Sequence, residues 1–156
     1  MKLVHYRLQG EARLGCLAED KVIDLNYAYE AYLLSKGAIR AKQIAEAFVP
    51  PNMVEFLQGG NESLSKAKEA VSFAMNASAA LERTIVYSGS EVKFESPVLS
   101  PGKIICVGHN YREHILEMGR GLPPYPVIFA KFAGTIIGPQ DDIPFFPISE
   151  QLDYEA

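Results

Sequence analysis

The chain has little cysteine, no long apolar run and no excess of basic charge, and each shortage removes a class of function. Its two cysteines, Cys16 and Cys106, lack CxxC spacing and lie in apolar, strand-like runs. That placement predicts buried, reduced thiols rather than a disulfide framework or a thiolate metal site. No apolar run approaches the ~20 residues a helix needs to cross a bilayer, so no membrane partner is expected. The opening Met1-Lys2-Leu3-Val4-His5-Tyr6 has no apolar signal core, which makes a cytoplasmic location the expectation. Fifteen Lys and Arg against nineteen Asp and Glu give a formal charge of −4. The basic residues are interleaved with acids, and nucleic acid is not an expected partner.

What is present is enough for one ordinary domain or two small ones: 156 residues, 48% of them hydrophobic. Leu3 to Leu8, Ala12 to Leu17 and Val22 to Leu25 read as a small meander around Gly10 and the polar Ala18-Glu19-Asp20-Lys21. Asp24 or Asn26 can cap a helix through Tyr27, Ala28, Ala31, Tyr32 and Leu34, with Gly37 as its stop. A second helix is predicted over Ile39 to Phe48, with Ile44, Ala47 and Phe48 apolar, ended by Pro50-Pro51. A short helical turn with Met53, Phe56 and Leu57 precedes Gly59-Gly60. From Glu62 to about Arg83, Leu64, Ala67, Val71, Ala74, Met75, Ser78 and Leu81 recur at helical spacing behind a possible cap, Asn61; such a stripe reads as core packing. Thr84 to Tyr87 and Glu91 to Phe94 are short strand candidates. Pro97, Pro101 and Gly102 then mark a boundary, giving an α+β chain: a small N-terminal α/β support domain at 1–95 and the beginning of a mixed β-rich domain at 96–156. The first part contains no constellation that suggests chemistry.

Chemistry-bearing residues gather between Pro101 and Met118. Ile104 to Val107 reads as a short buried strand between Gly102 and Gly108, ending at a tight bend. Asn110 can cap the helix that comes next, and Gly119 sits where a left-handed stop belongs. His114 and Glu117, three apart, share one helix face, where the carboxylate can orient the ring and raise its basicity. By itself the pair also fits an ordinary surface helix. Beyond it, Arg120 to Pro126 is too rich in proline and glycine for a regular element and reads as a flap. Val127 to Lys131 is strand-like; on the residues alone Lys131 is a solvated strand end. Asp141-Asp142 reads as a polar turn, since adjacent carboxylates on a strand face opposite ways.

Val107-Gly108, Asn110-Tyr111, His114 and Glu117 together resemble the opening of the catalytic domain of the fumarylacetoacetate hydrolase family, whose motif is Val-Gly-x-Asn-Tyr-x-x-His with a Glu three residues on. Pro126 to Lys131, Ile137-Gly138-Pro139 and Ser149 to Glu155 support the resemblance, while residues 1–95 are only weakly similar to the N-terminal extension of bacterial members. Phe132 stands where many relatives have proline, and the hydroxyl expected near Gly134 is absent, with Thr135 as its substitute. His109 falls at a variable position and stays outside the catalytic set.

The resemblance implies an enzyme acting on a small 2-oxo acid. His114, Glu117 and Lys131 would be catalytic, Asn110 and Tyr111 substrate-binding, and Glu155 a ligand of Mg²⁺ or Mn²⁺. A second glutamate would come after Ala156 and an aspartate would lie further on, so the metal site is expected to be incomplete here. The residues after the boundary are too few to bury a core alone. The chain is therefore expected to be a fragment, or to depend on a partner for further strands. The leading expected activity is metal-dependent hydrolysis of a C–C bond in an acylpyruvate-like substrate through an enolate. Decarboxylation or isomerisation of 2-oxo or 2-hydroxymuconate-type dicarboxylates in aromatic catabolism is the second, and an inactive interaction or folding module the third. Homodimerisation is implied for the full-length protein.

Overall fold

In the computed structural model, which describes residues 1–78, 81, 85–148 and 150–151, the meander forms as the alternation of apolar and polar residues requires. Strands β1 (Lys2–Leu8) and β2 (Glu11–Ala18) are joined by Gln9 and Gly10, both at positive φ (51° and 96°), the geometry that suits a two-residue hairpin. Glu19, at φ 57°, opens the next turn into β3 (Lys21–Asp24). Strands β4 (Val86–Ser88) and β5 (Lys93–Glu95) add to the two sides, giving an antiparallel sheet in the order β4-β3-β2-β1-β5.

Between β3 and β4 the described residues include helices α1 (Leu25–Ser35), α2 (Ala41–Phe48), α3 (Met53–Gln58) and α4 (Gly60–Ala74). Asp24 caps α1 by accepting from the Tyr27 amide at 2.8 Å, and Asn52 caps α3 by accepting from Val54 and Glu55. Gly37, at φ 81°, ends α1 in a Schellman turn: its amide donates to Leu34 O and that of Ala38 to Leu33 O.

Three details depart from the sequence pattern. Helix α4 starts at Gly60 with Gly59 rather than Asn61 in the cap position, because Gly60 at φ 57° separates it from α3 without a side-chain cap. Its described span ends at Ala74, leaving Met75 and Ser78 exposed; the buried face is Ser63, Ala67, Ala70 and Ala74. Helix α2 begins two residues later than Ile39; Ala41 and Ala45 are buried, Ile44 and Phe48 pack against the core, and Ala47 is exposed.

Leu14, Cys16, Ile23, Tyr29, Val49, Phe56, Ala67 and Ile85 join sheet and helices in the main core. Tyr6, Val22 and Val92 form a smaller cluster with Val4, Leu17, Tyr87 and Phe94. Between the clusters lies a buried polar knot. Asp24 accepts from Tyr6 Oη at 2.5 Å and from Arg13 Nε at 2.5 Å, Arg13 stacks on the Tyr27 ring at 3.7 Å, and Asn26 Nδ2 donates to Val49 O at 2.8 Å. Gly15 makes room for it: a Cβ there would stand 2.7 Å from Val22 Cγ1 and 3.0 Å from the Tyr6 ring.

The chain divides into two compact units, residues 1–98 with 137–156, and residues 99–136. The second unit holds an antiparallel pair, β6 (Ile104–Gly108) and β7 (Val127–Lys131), helix α5 (Arg112–Glu117) and a 3-10 turn over Ala133–Thr135. The apolar run that predicts a buried β6 is only partly covered: Ile105 is 65% and Val107 47% exposed, and across the ladder Ile128 is 58% exposed. A sheet of two strands has too little area to bury both faces.

Candidate functional site

The site residues of the second unit are arranged by one bend and one ladder. Strand β6 ends at Gly108, and His109 then takes φ 51°, in the left-handed region that few side chains adopt. That residue absorbs the change of direction, and Tyr111 remains extended (φ −112°, ψ 114°) before α5 begins at Arg112. Asn110 is therefore one position too early to cap the helix; Tyr111 occupies the cap position and makes no side-chain cap bond. Asn110 and Tyr111 are both exposed at the bend.

Helix α5 closes as expected. Gly119, at φ 68°, donates to Leu116 O, and Arg120 N donates to Ile115 O at 3.1 Å, a second Schellman turn. The chain thus turns back, and Arg120 Nη1 donates to His109 Nε2 at 3.4 Å. Sequence reasoning did not single out Arg120. The available signal was its place directly after the helix-stopping glycine, which returns the chain toward the bend.

His114 and Glu117 share a face of α5 with Nδ1 and Oε2 3.8 Å apart, and their side chains are 63% and 82% exposed. This is ion-pair distance and longer than a hydrogen bond, so the carboxylate does not fix the orientation of the ring. Ile115, between them in sequence, is buried and anchors the helix. The ladder pairs Gly108 with Val127 and Ile104 with Lys131. Lys131 therefore ends β7 four residues from the strand position opposite the bend, about 13 Å along the strand. Its ammonium lies 5.8 Å from the Phe129 ring centroid. Arg120 to Pro126 contains no helix or strand. Thr135 Oγ1 donates to Phe132 O at 2.8 Å, so the substitute hydroxyl is engaged in the 3-10 turn.

Glu155, the metal ligand implied by the resemblance, lies outside the described residues with Asp153 and Tyr154. Among the described residues no group of three or more His, Cys, Asp or Glu side chains is placed to hold a metal ion. Those residues do not by themselves fit a complete divalent site. Cys106 is half-buried and Cys16 buried; both are free thiols, and burial pushes the Cys16 thiol up. Among the described residues, no helix is long and apolar enough to cross a membrane.

Residues 103–156 match the family model of the fumarylacetoacetate hydrolase C-terminal domain. The chain is 39% identical over 111 residues to the mitochondrial oxaloacetate tautomerase FAHD2A of Bos taurus, covering 71% of this chain and 32% of that protein. It is 33% identical to the mitochondrial oxaloacetate tautomerase fahd2 of Xenopus laevis, covering all of this chain and 42% of the relative. The oxaloacetate tautomerase YisK of Bacillus subtilis is 30% identical, with all of this chain and 50% of the relative covered. The chain thus spans about a third to a half of the length of the curated relatives it matches. With the strand, bend and His-Glu helix inside the matched segment, the chain belongs to the fumarylacetoacetate hydrolase family.

Proposed function

We propose that the chain serves a keto–enol isomerase acting on a small 2-oxo diacid of the oxaloacetate kind. Members of the family are enzymes and commonly use a divalent metal. The observation that carries the reading is the exposed His114–Glu117 pair on a helix set by a strand-end bend, within the segment that matches the family. The relatives named as oxaloacetate tautomerases favour isomerisation over the C–C hydrolysis implied by the motifs alone. Hydrolysis and decarboxylation share its enolate and differ in the bond that is broken.

In this reading His114 removes a proton from the carbon beside the keto group, and Glu117 supports the imidazolium that results. The 3.8 Å separation would shorten once substrate excludes water from the helix face, as catalytic contacts often do. Lys131 stabilises charge on the enolate oxygen, which takes up a proton from water to complete the enol, while the His114 imidazolium returns its proton to the solvent. Asn110 and Tyr111 hold the substrate carboxylate at the bend. A bound divalent ion, Mg²⁺ or Mn²⁺ with Glu155 among its ligands, would supply further stabilisation of that charge. A homodimer and a cytoplasmic location belong to the same proposal.

The test is the rate of oxaloacetate enol–keto interconversion, monitored by ultraviolet absorbance, for the 156-residue chain and for one extended to the length of its relatives. His114→Ala should slow it by a factor of about 100 or more with the circular dichroism spectrum intact. An unchanged rate removes His114 from the reaction. Acylpyruvate cleavage in place of tautomerisation would select the hydrolase branch.

A further inference from the structure

Strand β5 is an edge strand: it pairs with β1 on one side and leaves its other side to be satisfied in some other way. Residues 138–141 do this. The Phe94 amide donates to Gln140 Oε1 at 3.4 Å. Gly138 lies so close to the strand that a Cβ would be 3.0 Å from Phe94 O and 3.5 Å from Glu95 Cα. Lys93 Nζ meets Asp141 Oδ1 at 2.5 Å. The Lys93 side chain and the Phe94 amide are thus engaged by one four-residue turn that lies close against Phe94 and Glu95.

The turn is itself tied. Asp141 N donates to Gly138 O at 3.2 Å, and Gly138 N donates back to Asp141 Oδ2 at 2.8 Å around Pro139. Asp141 uses both carboxylate oxygens, one outward to Lys93 and one inward to Gly138. The Lys93 hydrogen bond, and then the Gly138 amide, hold its carboxyl below the usual range. A lone exposed ion pair stabilises little. Here it is coupled to a backbone turn with a fixed-φ proline and to a strand edge that would otherwise face water.

The chain leaves the first unit after residue 98 and re-enters it at residue 137. We propose that Gly138-Pro139-Gln140-Asp141 is a clasp, fastening the returning chain to the edge strand from which it departed. The stretches of the first unit that flank the 99–136 excursion, which carries Asn110, Tyr111, His114, Glu117 and Lys131, are thereby held to one another. The clasp does not depend on which reaction the excursion performs.

Backbone amide hydrogen exchange of the 156-residue chain, read residue by residue by nuclear magnetic resonance, tests it. In the native chain the Phe94 and Gly138 amides should both be protected. Asp141→Ala should speed exchange at Gly138 by about tenfold or more, with the β1–β2 ladder amides unchanged. Lys93→Met, which leaves the turn's internal bonds in place, should speed it by a smaller factor. Should Asp141→Ala not fold, Asp141→Asn, which keeps an oxygen to accept from the Gly138 amide and loses the charge facing Lys93, should speed exchange by the smaller factor expected of Lys93→Met. Unprotected Phe94 and Gly138 amides in the native chain, or unchanged exchange in the Asp141 and Lys93 variants, would overturn the clasp.

Discussion

Asp24 shows how one residue can serve helix, sheet and core together. Its carboxylate is fully buried, caps α1, and faces both Arg13 and the Tyr6 hydroxyl. A buried ion pair gains little over an apolar replacement, but removing one partner leaves an uncompensated charge. Arg13→Met should therefore destabilise the chain by about 3–5 kcal/mol in urea titration, by breaking a buried pair. Tyr6→Phe, which removes a single hydrogen bond to the carboxylate, should cost about 1.5–3 kcal/mol. Burial, then the neighbouring Asp24 charge, pushes the Tyr6 hydroxyl well above its ordinary range. The native state keeps that proton where the unfolded chain gives it up, so this stabilisation is complete below about pH 10 and declines as pH rises further. Thermal melts between pH 9 and 11 should show the decline, reduced in Tyr6→Phe. Asp24 was legible as a possible cap from its place before an apolar helix. Its role for Arg13 and Tyr6 was not, because those residues meet it only after the β1–β2–β3 register is set.

Among the elements, helix ends are more legible in the sequence than helix starts. Gly37 and Gly119 stop their helices as expected, because a left-handed residue after a helix strongly favours glycine whatever surrounds it. Asn61 and Asn110 do not cap, because a cap needs the preceding chain to arrive in extended geometry at that very residue. The φ values of Gly60 and His109 redirect the chain and move the start by a residue or two. Gly119→Ala should cost about 1–2 kcal/mol locally, the strain of a left-handed Cβ, and speed amide exchange at Arg120. Gly102→Ala, at a position with open space and no positive φ, should leave exchange unchanged.

At the level of the whole molecule, the His114–Glu117 face and the family were legible because the motif is contiguous and local geometry places it. The relation of Lys131 to that face was not, since it depends on strand register and on residues far along the chain. The apolar pattern overstates the burial of β6 for the same reason: an apolar run records what a strand can bury, and the cover must come from other elements. Ile105, Val107 and Ile128 consequently form a half-open apolar face. Such a face should bind a hydrophobic dye. Ile105→Thr with Ile128→Thr should lower the dye fluorescence of the 156-residue chain, and an unchanged signal would place the dye elsewhere.

Because the 99–136 segment departs from and returns to one unit, the sheet and helices of that unit act as a host and the excursion as a guest. Closing a flexible loop costs an entropy that grows only logarithmically with its length, so a host of this kind tolerates exchange of its guest. Replacing residues 99–136 with a short glycine-serine linker should leave a chain that still unfolds cooperatively.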